Sequence, residues 1–320
     1  MRPAAGLALL AALCALPPAA RAGFQTTDEG TSGAQFLKLG GGARAEGMGE
    51  AYTALPTEAD AIYWNPAALS SIAHHSATVM HEALPAGINY EFLGYGQKLG
   101  ASGGLGASIQ YLSQPSIDQT DSTGFSTGNS FHPSDFAAAV GGAYTLHGEN
   151  YGGFEGASFG VTGKYIQSTI TKTASTFGAD LGFLSAPFQV LDRDMRIAYV
   201  AQNLGGTLKF QQLGDPMPTN LRLGASWAPA KGWLLAFDLD EPLDNTPYFA
   251  VGTEYGLSVN DDTSFTGRLG VNTRAIGDSG SLAGLTLGLG ARFKSYGLDY
   301  AFAPLGALGM TNTLSLTFAF

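Results

Sequence analysis

Cysteine is almost missing from this chain. Cys14 stands alone among 320 residues, which excludes a disulfide scaffold as the source of stability. Charge is scarce too: 13% of residues are Asp, Glu, Lys or Arg, about half the usual share of a soluble domain. Basic charge is the scarcer sign, with 16 Lys and Arg against 26 Asp and Glu and a net charge of −10. An acidic chain is a poor partner for nucleic acid, whose binding rests on phosphate neutralisation. Beyond residue 22 no apolar run approaches the ~18 residues of a membrane-spanning helix.

What is present begins with MRPAAGLALLAALCALPPAARAGF. A basic Arg2, an apolar stretch from Ala4 to Leu16, the Pro17-Pro18 break and Ala20-Arg21-Ala22 have the layout of a secretory signal peptide cut after Ala22. The apolar run is too short for a first transmembrane helix. Leu13 before Cys14 is not the small residue that a lipoprotein would carry. With the leader removed, the exported chain has no cysteine, and the loss of Arg2 and Arg21 leaves it still more acidic.

Glycine is abundant, 45 residues, about twice the average share. Export, many aromatics, few charges and no spanning helix together indicate an outer-membrane β-barrel. A soluble secreted β-sandwich or solenoid is the competing class. The alternation of side chains favours the barrel. Leu285, Leu287, Leu289, Ala291 and Phe293 alternate with Gly284, Thr286, Gly288, Gly290 and Arg292. Tyr296, Leu298, Tyr300 and Phe302 alternate with Gly297, Asp299 and Ala301, and Leu314, Leu316, Phe318 and Phe320 with Thr313, Ser315, Thr317 and Ala319. Leu221, Leu223, Ala225 and Trp227 do the same against Asn220, Arg222, Gly224 and Ser226. One face is bulky and apolar. The other is small, with isolated Lys164, Arg222, Arg268 and Arg292, which suits a crowded lumen better than an open aqueous surface. The bulky face is expected to meet outer-membrane lipid.

The alternating segments number about fourteen, an all-β closed antiparallel barrel. They begin near residues 75, 87, 101, 134, 156, 173, 194, 218, 231, 246, 262, 281, 294 and 311. Tight connections at 229–232, 260–262 and 294–295 alternate with longer ones near 113–133, 204–217, 241–247 and 273–281; those at 147–155 and 186–193 break the rhythm. An even strand count places both chain ends on the periplasmic side. Trp227 and Trp233 flank one tight turn, as members of an aromatic girdle would. Phe318 and Phe320 close the last strand as an insertion signal.

Residues 23–74 do not alternate. Within them DAIYWNPAAL has an N-cap Asn65 followed by Pro66 at the first helical position. A barrel of this size is wider than side chains alone can fill, so a folded N-terminal plug, or hatch, is expected over 23–74, with the barrel over 75–320. The stretch Phe36 to Ile72, with Gly42-Ala43-Arg44-Ala45, Gly47-Met48-Gly49 and Trp64-Asn65-Pro66-Ala67, closely resembles the N-terminal motif of the PorV/PorQ family, within the FadL superfamily of outer-membrane proteins. The tail from Leu298 to Phe320 is similar as well, and LRLGASW (Leu221 to Trp227) less specifically. The resemblance implies a fourteen-strand barrel with an N-terminal hatch. It implies one of two roles: service to type IX protein secretion, with secretion-system proteins or secreted cargo as partners, or FadL-like uptake of a hydrophobic small molecule such as a long-chain fatty acid.

In the hatch, Arg44 is expected to hold carbonyls or a wall carboxylate. Gly47 and Gly49 are expected to permit close approach. A ligand pocket, if one is built, would draw on Met48, Tyr52, Tyr63 and Trp64. Gly40 to Gly42 lack the G-x-x-x-x-G-K-[ST] frame of a phosphate loop. His74, His75, His81, His132 and His147 show no metal-ligand spacing, and Asp261-Asp262 and Asp192-Arg193-Asp194 read as solvated turns. No catalytic residue, metal or cofactor is expected.

Overall fold

A computed structural model describes residues 30–275 and 283–320. The expected leader lies outside the described residues. Fourteen strands form one closed antiparallel barrel. They are β1 His75–Ala83, β2 Asn89–Leu99, β3 Gly103–Ser113, β4 Ser134–Thr145, β5 Ser158–Thr169, β6 Thr173–Leu184 and β7 Arg193–Gly205. Then follow β8 Asn220–Trp227, β9 Trp233–Pro242, β10 Tyr248–Ser258, β11 Thr263–Asn272, β12 Leu285–Phe293, β13 Tyr296–Pro304 and β14 Met310–Ala319. Each pairs with the next, and β14 pairs with β1 from Ser76↔Ala319 to Ala83↔Asn312. Closure removes the free wall edges, so the strands satisfy one another's backbone groups without water. The strands begin within a few residues of the positions that alternation alone indicates.

The two faces separate as the pattern requires. Leu287, Leu289, Leu298, Tyr300, Leu314 and Leu316 are exposed on the outside, while Thr286, Asp299, Thr313, Ser315 and Thr317 are buried within. A slip of one residue would reverse every strand's faces, so this segregation fixes the register. The basic residues of the inner face are not isolated. Arg222 pairs with Asp240, its register partner on β9, and Arg268 with Glu254, its register partner on β10. Lys164 lies 2.7 Å from Asp180, and Arg292 2.5 Å from Glu58. A charge held away from water needs such a partner.

The connections follow the expected alternation incompletely. The rim where the wall begins and ends carries the tight turns 100–102, 228–232, 259–262 and 294–295, but also the longer 146–157 and 185–192. The opposite rim carries 114–133, 206–219 and the described ends 273–275 and 283–284 of the connection after β11, but also the tight turn 170–172. Within 114–133, Ile117–Thr120 and Ser126–Phe131 pair as a separate exposed ribbon. At the first rim the wall is sealed by His75 N donating to Phe320 O (2.9 Å) and Phe320 N to His75 O (3.1 Å).

The segment before His75 lies inside the barrel. It contains a 3-10 turn Gln35–Lys38, helix α1 Ala43–Gly47, helix α2 Ala61–Trp64 and a 3-10 turn Pro66–Ser71. The Asn-Pro-Ala-Ala-Leu turn is therefore 3-10 rather than α. Its cap is as the sequence indicates: the Asn65 side chain accepts from Ala67 N at 3.0 Å, with Pro66 in the first turn. The hatch does not start where the wall starts. Gly33 N donates to Pro216 O (2.9 Å), and Asp244 accepts from Lys38 (2.7 Å) and Gln35 (2.9 Å). Pro216 and Asp244 belong to the long-loop rim. The wall's two ends share one rim, as an even count dictates, yet the first described hatch residues sit at the other.

Candidate functional site

The hatch and its seat in the wall form the site. Small residues decide how closely they meet. A Cβ on Gly270 of β11 would overlap the Gly49 amide, one on Gly104 of β3 the Leu69 carbonyl, and one on Gly160 of β5 the Pro66-Ala67 peptide. A Cβ on Gly252 of β10 would stand 2.5 Å from Met48 O. Conversely, Gly47 has the Gly288 Cα 2.9 Å from its absent Cβ, and Gly49 has a φ of +67° besides. The lumen-facing glycines thus let two backbones touch.

Polar anchors fix the seat, the Arg292–Glu58 pair among them. Arg44 donates in bidentate fashion to Glu254 on β10, Nε to Oε2 at 2.9 Å and Nη2 to Oε1 at 3.0 Å. Glu254 also accepts from Arg268 (2.6 Å), which reaches Asp299 at 2.7 Å. Asp238 Oδ2 on β9 accepts the amides of Tyr52 (3.0 Å) and Thr53 (2.9 Å) and the Thr53 hydroxyl (2.5 Å). Glu50 accepts from Arg274 (3.0 Å) and Asn272 (3.1 Å). Asn65 donates both to Thr53 O within the hatch (3.0 Å) and to Phe183 O on β6 (3.2 Å). Asp244, holding Lys38, is another. Charge-assisted and bidentate contacts of this kind are stronger than neutral ones and set orientation.

The aromatic residues cluster. Trp64 meets Tyr63 edge-on at 5.0 Å and Tyr52 at 5.7 Å, and the Arg222 guanidinium lies over its ring at 4.7 Å. Trp64 Nε1 donates to Gly41 O (2.7 Å) and Tyr63 OH to Leu37 O (3.1 Å). Met48, Tyr52, Tyr63 and Trp64 are all buried. The cavity bounded by Leu37, Tyr63, Arg222, Tyr248 and Arg274 has about 20 Å³, room for a water but not for a fatty acid. Asp60, at the head of α2, is buried with Oδ1 unpartnered. Burial, reinforced by the charge of Glu58, pushes its carboxyl up to about 7. Ala67, next to Asn65 and Pro66, has its amide capped and no exposed surface.

Other expected positions lie apart from this seat. Trp227 and Trp233 flank the 228–232 turn, Trp233 packed edge-on with Tyr255 at 5.4 Å. Phe318 meets Tyr296 at 5.5 Å, and Phe320 stacks on His75 at 5.2 Å. Gly156-Ala157-Ser158-Phe159-Gly160 has the G-x-S-x-G spacing of a hydrolase nucleophile. Ser158, however, opens strand β5 instead of a strand-to-helix turn, and its hydroxyl bonds Ser70 (3.0 Å) and Thr145 (2.8 Å), not a histidine. Among the described residues no group of three or more His, Cys, Asp or Glu is placed to hold a metal. Glu254, Asp238 and Glu50 were not legible as site residues in the sequence. For Glu254 and Asp238 the one signal was a carboxylate at an inward position of an otherwise small-residue face; Glu50, within the hatch, had none.

Comparison with solved structures places the fold. The barrel is similar to the Pseudomonas putida toluene transporter TodX, with a TM-score of 0.58 at 13% identity over 88% of this chain and 98% of that one. It is similar to the Ralstonia pickettii toluene transporter TbuX, with a TM-score of 0.54 at 13% identity over 88% and 98%. A third likeness is to the CymD monoaromatic hydrocarbon channel, TM-score 0.56 at 12% identity over 88% and 98%. None of the curated proteins matches the chain. The model of the Type IX secretion system protein PorV matches residues 24–230, a span holding the hatch and the first eight strands, and the chain belongs to this family of outer-membrane barrels.

Proposed function

We propose that this protein is a non-enzymatic, plugged outer-membrane barrel that serves protein secretion by docking partner proteins at its outer rim. The observation that carries this reading is the seating of the hatch: polar anchors and backbone-to-backbone contact at the glycines leave about 20 Å³ beside Tyr63. Around Tyr63 and Arg222 the hatch leaves no room for cargo, and the recess of about 570 Å³ bounded by Asp194, Lys231, Glu254, Ser258 and Ser264 opens only at the opposite rim, so the reading assigns function to surfaces. The long-loop rim offers them. Phe125, Leu213 and Leu308, each in a connection of that rim, are 74%, 86% and 69% exposed, apolar tips of the sort that partner proteins cover.

FadL-like uptake is the second reading, supported by the fold shared with hydrocarbon transporters and by the Tyr52, Tyr63 and Trp64 cluster. It requires the hatch to move. Two experiments separate the readings. Replacing Phe125, Leu213 and Leu308 together by Ser leaves a folded barrel and lowers type IX cargo delivery at least tenfold if docking is the role; undiminished delivery counts against it. Uptake of a labelled fatty acid into proteoliposomes that is abolished by Trp64→Ala would favour transport instead.

A further inference from the structure

We propose that the hatch's leading segment, Ser32 to Lys38, positions a docking arm of the outer rim, the connection 206–219, and that Asp244 is the positioning residue through which it does so. The proposal deepens the docking reading above and rests on it. Two tasks are thereby joined: the segment that closes the outer mouth also sets the place of an exposed apolar tip. The arm leaves β7 after Gly205 and returns at Asn220, the first residue of β8. It is a short ribbon, with Thr207 pairing with Pro216 and Leu208 with Asp215. The turn beyond those pairs carries Leu213, 86% exposed.

The wall holds the arm at its root. Asn203 Nδ2 donates to Pro218 O at 3.1 Å, the Thr219 hydroxyl donates to Asn203 O at 3.0 Å, and Leu243 N donates to Thr219 O at 2.9 Å. The outgoing side of the arm lies against β6, where a Cβ on Gly206 would meet the Thr176 hydroxyl. The returning side leans on the hatch. Gly33 N donates to Pro216 O at 2.9 Å, and a Cβ on Gly33 would stand 3.2 Å from both Asp215 Cβ and Leu208 Cδ1. Leu208 and Met217 are buried in one apolar cluster with Phe36 and Leu37 of the hatch.

Asp244 fixes the hatch segment in turn. It is buried in the 243–247 connection and gathers three hatch side chains: Lys38 Nζ at 2.7 Å, Gln35 Nε2 at 2.9 Å and the Ser32 hydroxyl. A carboxylate held away from water needs such donors, and charge-assisted bonds set orientation. Leu243, beside it, is the residue that bonds Thr219. One short connection thus grips the hatch through Asp244 and the root of the arm through Leu243, and Gly33 closes the ring at Pro216. A tip held in place before a partner arrives loses less freedom on docking, so this brace raises affinity without touching the partner. It also ties the rim to the lumen: a shift of Ser32 to Lys38 moves Pro216, and with it the turn that carries Leu213.

Limited trypsin digestion of the full-length mature barrel in detergent tests this. Lys209 is the one Lys or Arg of the arm. Lys172, in the 170–172 turn of the same rim, is the internal control, and both are exposed. Asp244→Ala should raise the cleavage rate at Lys209 at least tenfold and leave Lys172 at the wild-type rate. Gly33→Val, which pushes on Leu208 and Asp215 from the hatch side, should do the same, and it decides the matter if Asp244→Ala does not fold. Type IX cargo delivery by these variants should fall at least threefold. Unchanged cleavage at Lys209, or an equal rise at Lys172, overturns the brace. A tenfold rise at Lys209 with undiminished delivery upholds the brace and contradicts the docking reading instead, so the two failures are told apart.

Discussion

At the scale of single residues, the hatch is held by charge in a place short of water. Arg44 is the hatch's half of a bidentate pair, and Glu254 serves two arginines at once. Removing one partner of a buried pair leaves the other uncompensated. Arg44→Ala should therefore lower stability by about 3 kcal/mol, read as an earlier urea midpoint in detergent. Arg44→Lys, which keeps charge but loses the fork, should recover only part of it. An unchanged midpoint in Arg44→Ala would show that the pair does not hold the hatch.

Asp60 gives a pH signature at the same scale. Its folded carboxyl titrates at about 7 because it is buried beside Glu58, against ~3.9 in an unfolded chain. Between those values the unfolded chain sheds a proton that the folded one keeps, so the contribution of Asp60 to stability falls as pH rises from ~4 to 7. Above 7 the loss is complete. Asp60→Asn should flatten that slope and raise the melting temperature at pH 8 relative to wild type while changing little at pH 4. A parallel slope in both proteins would show that Asp60 does not carry it.

At the scale of elements, glycine position separates seat from surface. Gly270 and Gly267 lie three apart on β11, on opposite faces. Gly270→Ala puts a methyl into the Gly49 amide and should cost about 1–3 kcal/mol through a forced shift of the hatch; Gly267→Ala, outside, should cost less than half of that. Equal losses, measured by heat-modified gel mobility, would mean that the seat is not tight.

Much at this scale was legible in the sequence. Period-2 alternation such as Leu285 to Phe293 placed each strand and chose its outer face, since bulk and burial follow the same two-residue rule. Asn65 and Pro66 gave the capped turn. Other features could not be read. Glu254 is 210 residues from Arg44, and nothing local ties them. The irregularity in β7 between Ala201 and Leu204, with Asn203 at φ +57° and bonded to Asp180 and Lys164, depends on strands β5 and β6. Pro66–Ser71 winds as a 3-10 turn pressed against Gly104 and Gly160, contacts that its own residues do not announce.

At the scale of the whole molecule, a wall of lipid-facing bulk encloses a small-residue lumen, and a hatch runs from the long-loop rim to the wall's first strand. The threading has a consequence for assembly. Residues 33–38 sit at the rim opposite the wall's first strand, and the expectation is that the hatch is built in as β1 and β14 close. A folded barrel expressed without residues 30–72 should accordingly fail to regain a closed lumen when the hatch is supplied as a separate peptide, as read by conductance. Recovery by the added peptide would argue against this order.

Planar-bilayer conductance also tests the central claim, that the lumen is filled by a hatch anchored to the wall. The wild-type barrel should pass no steady ionic current, while the same barrel lacking residues 30–72 should open a pore of the conductance expected of an empty fourteen-strand wall. A wild-type barrel that conducts as freely as the hatchless one would contradict the account.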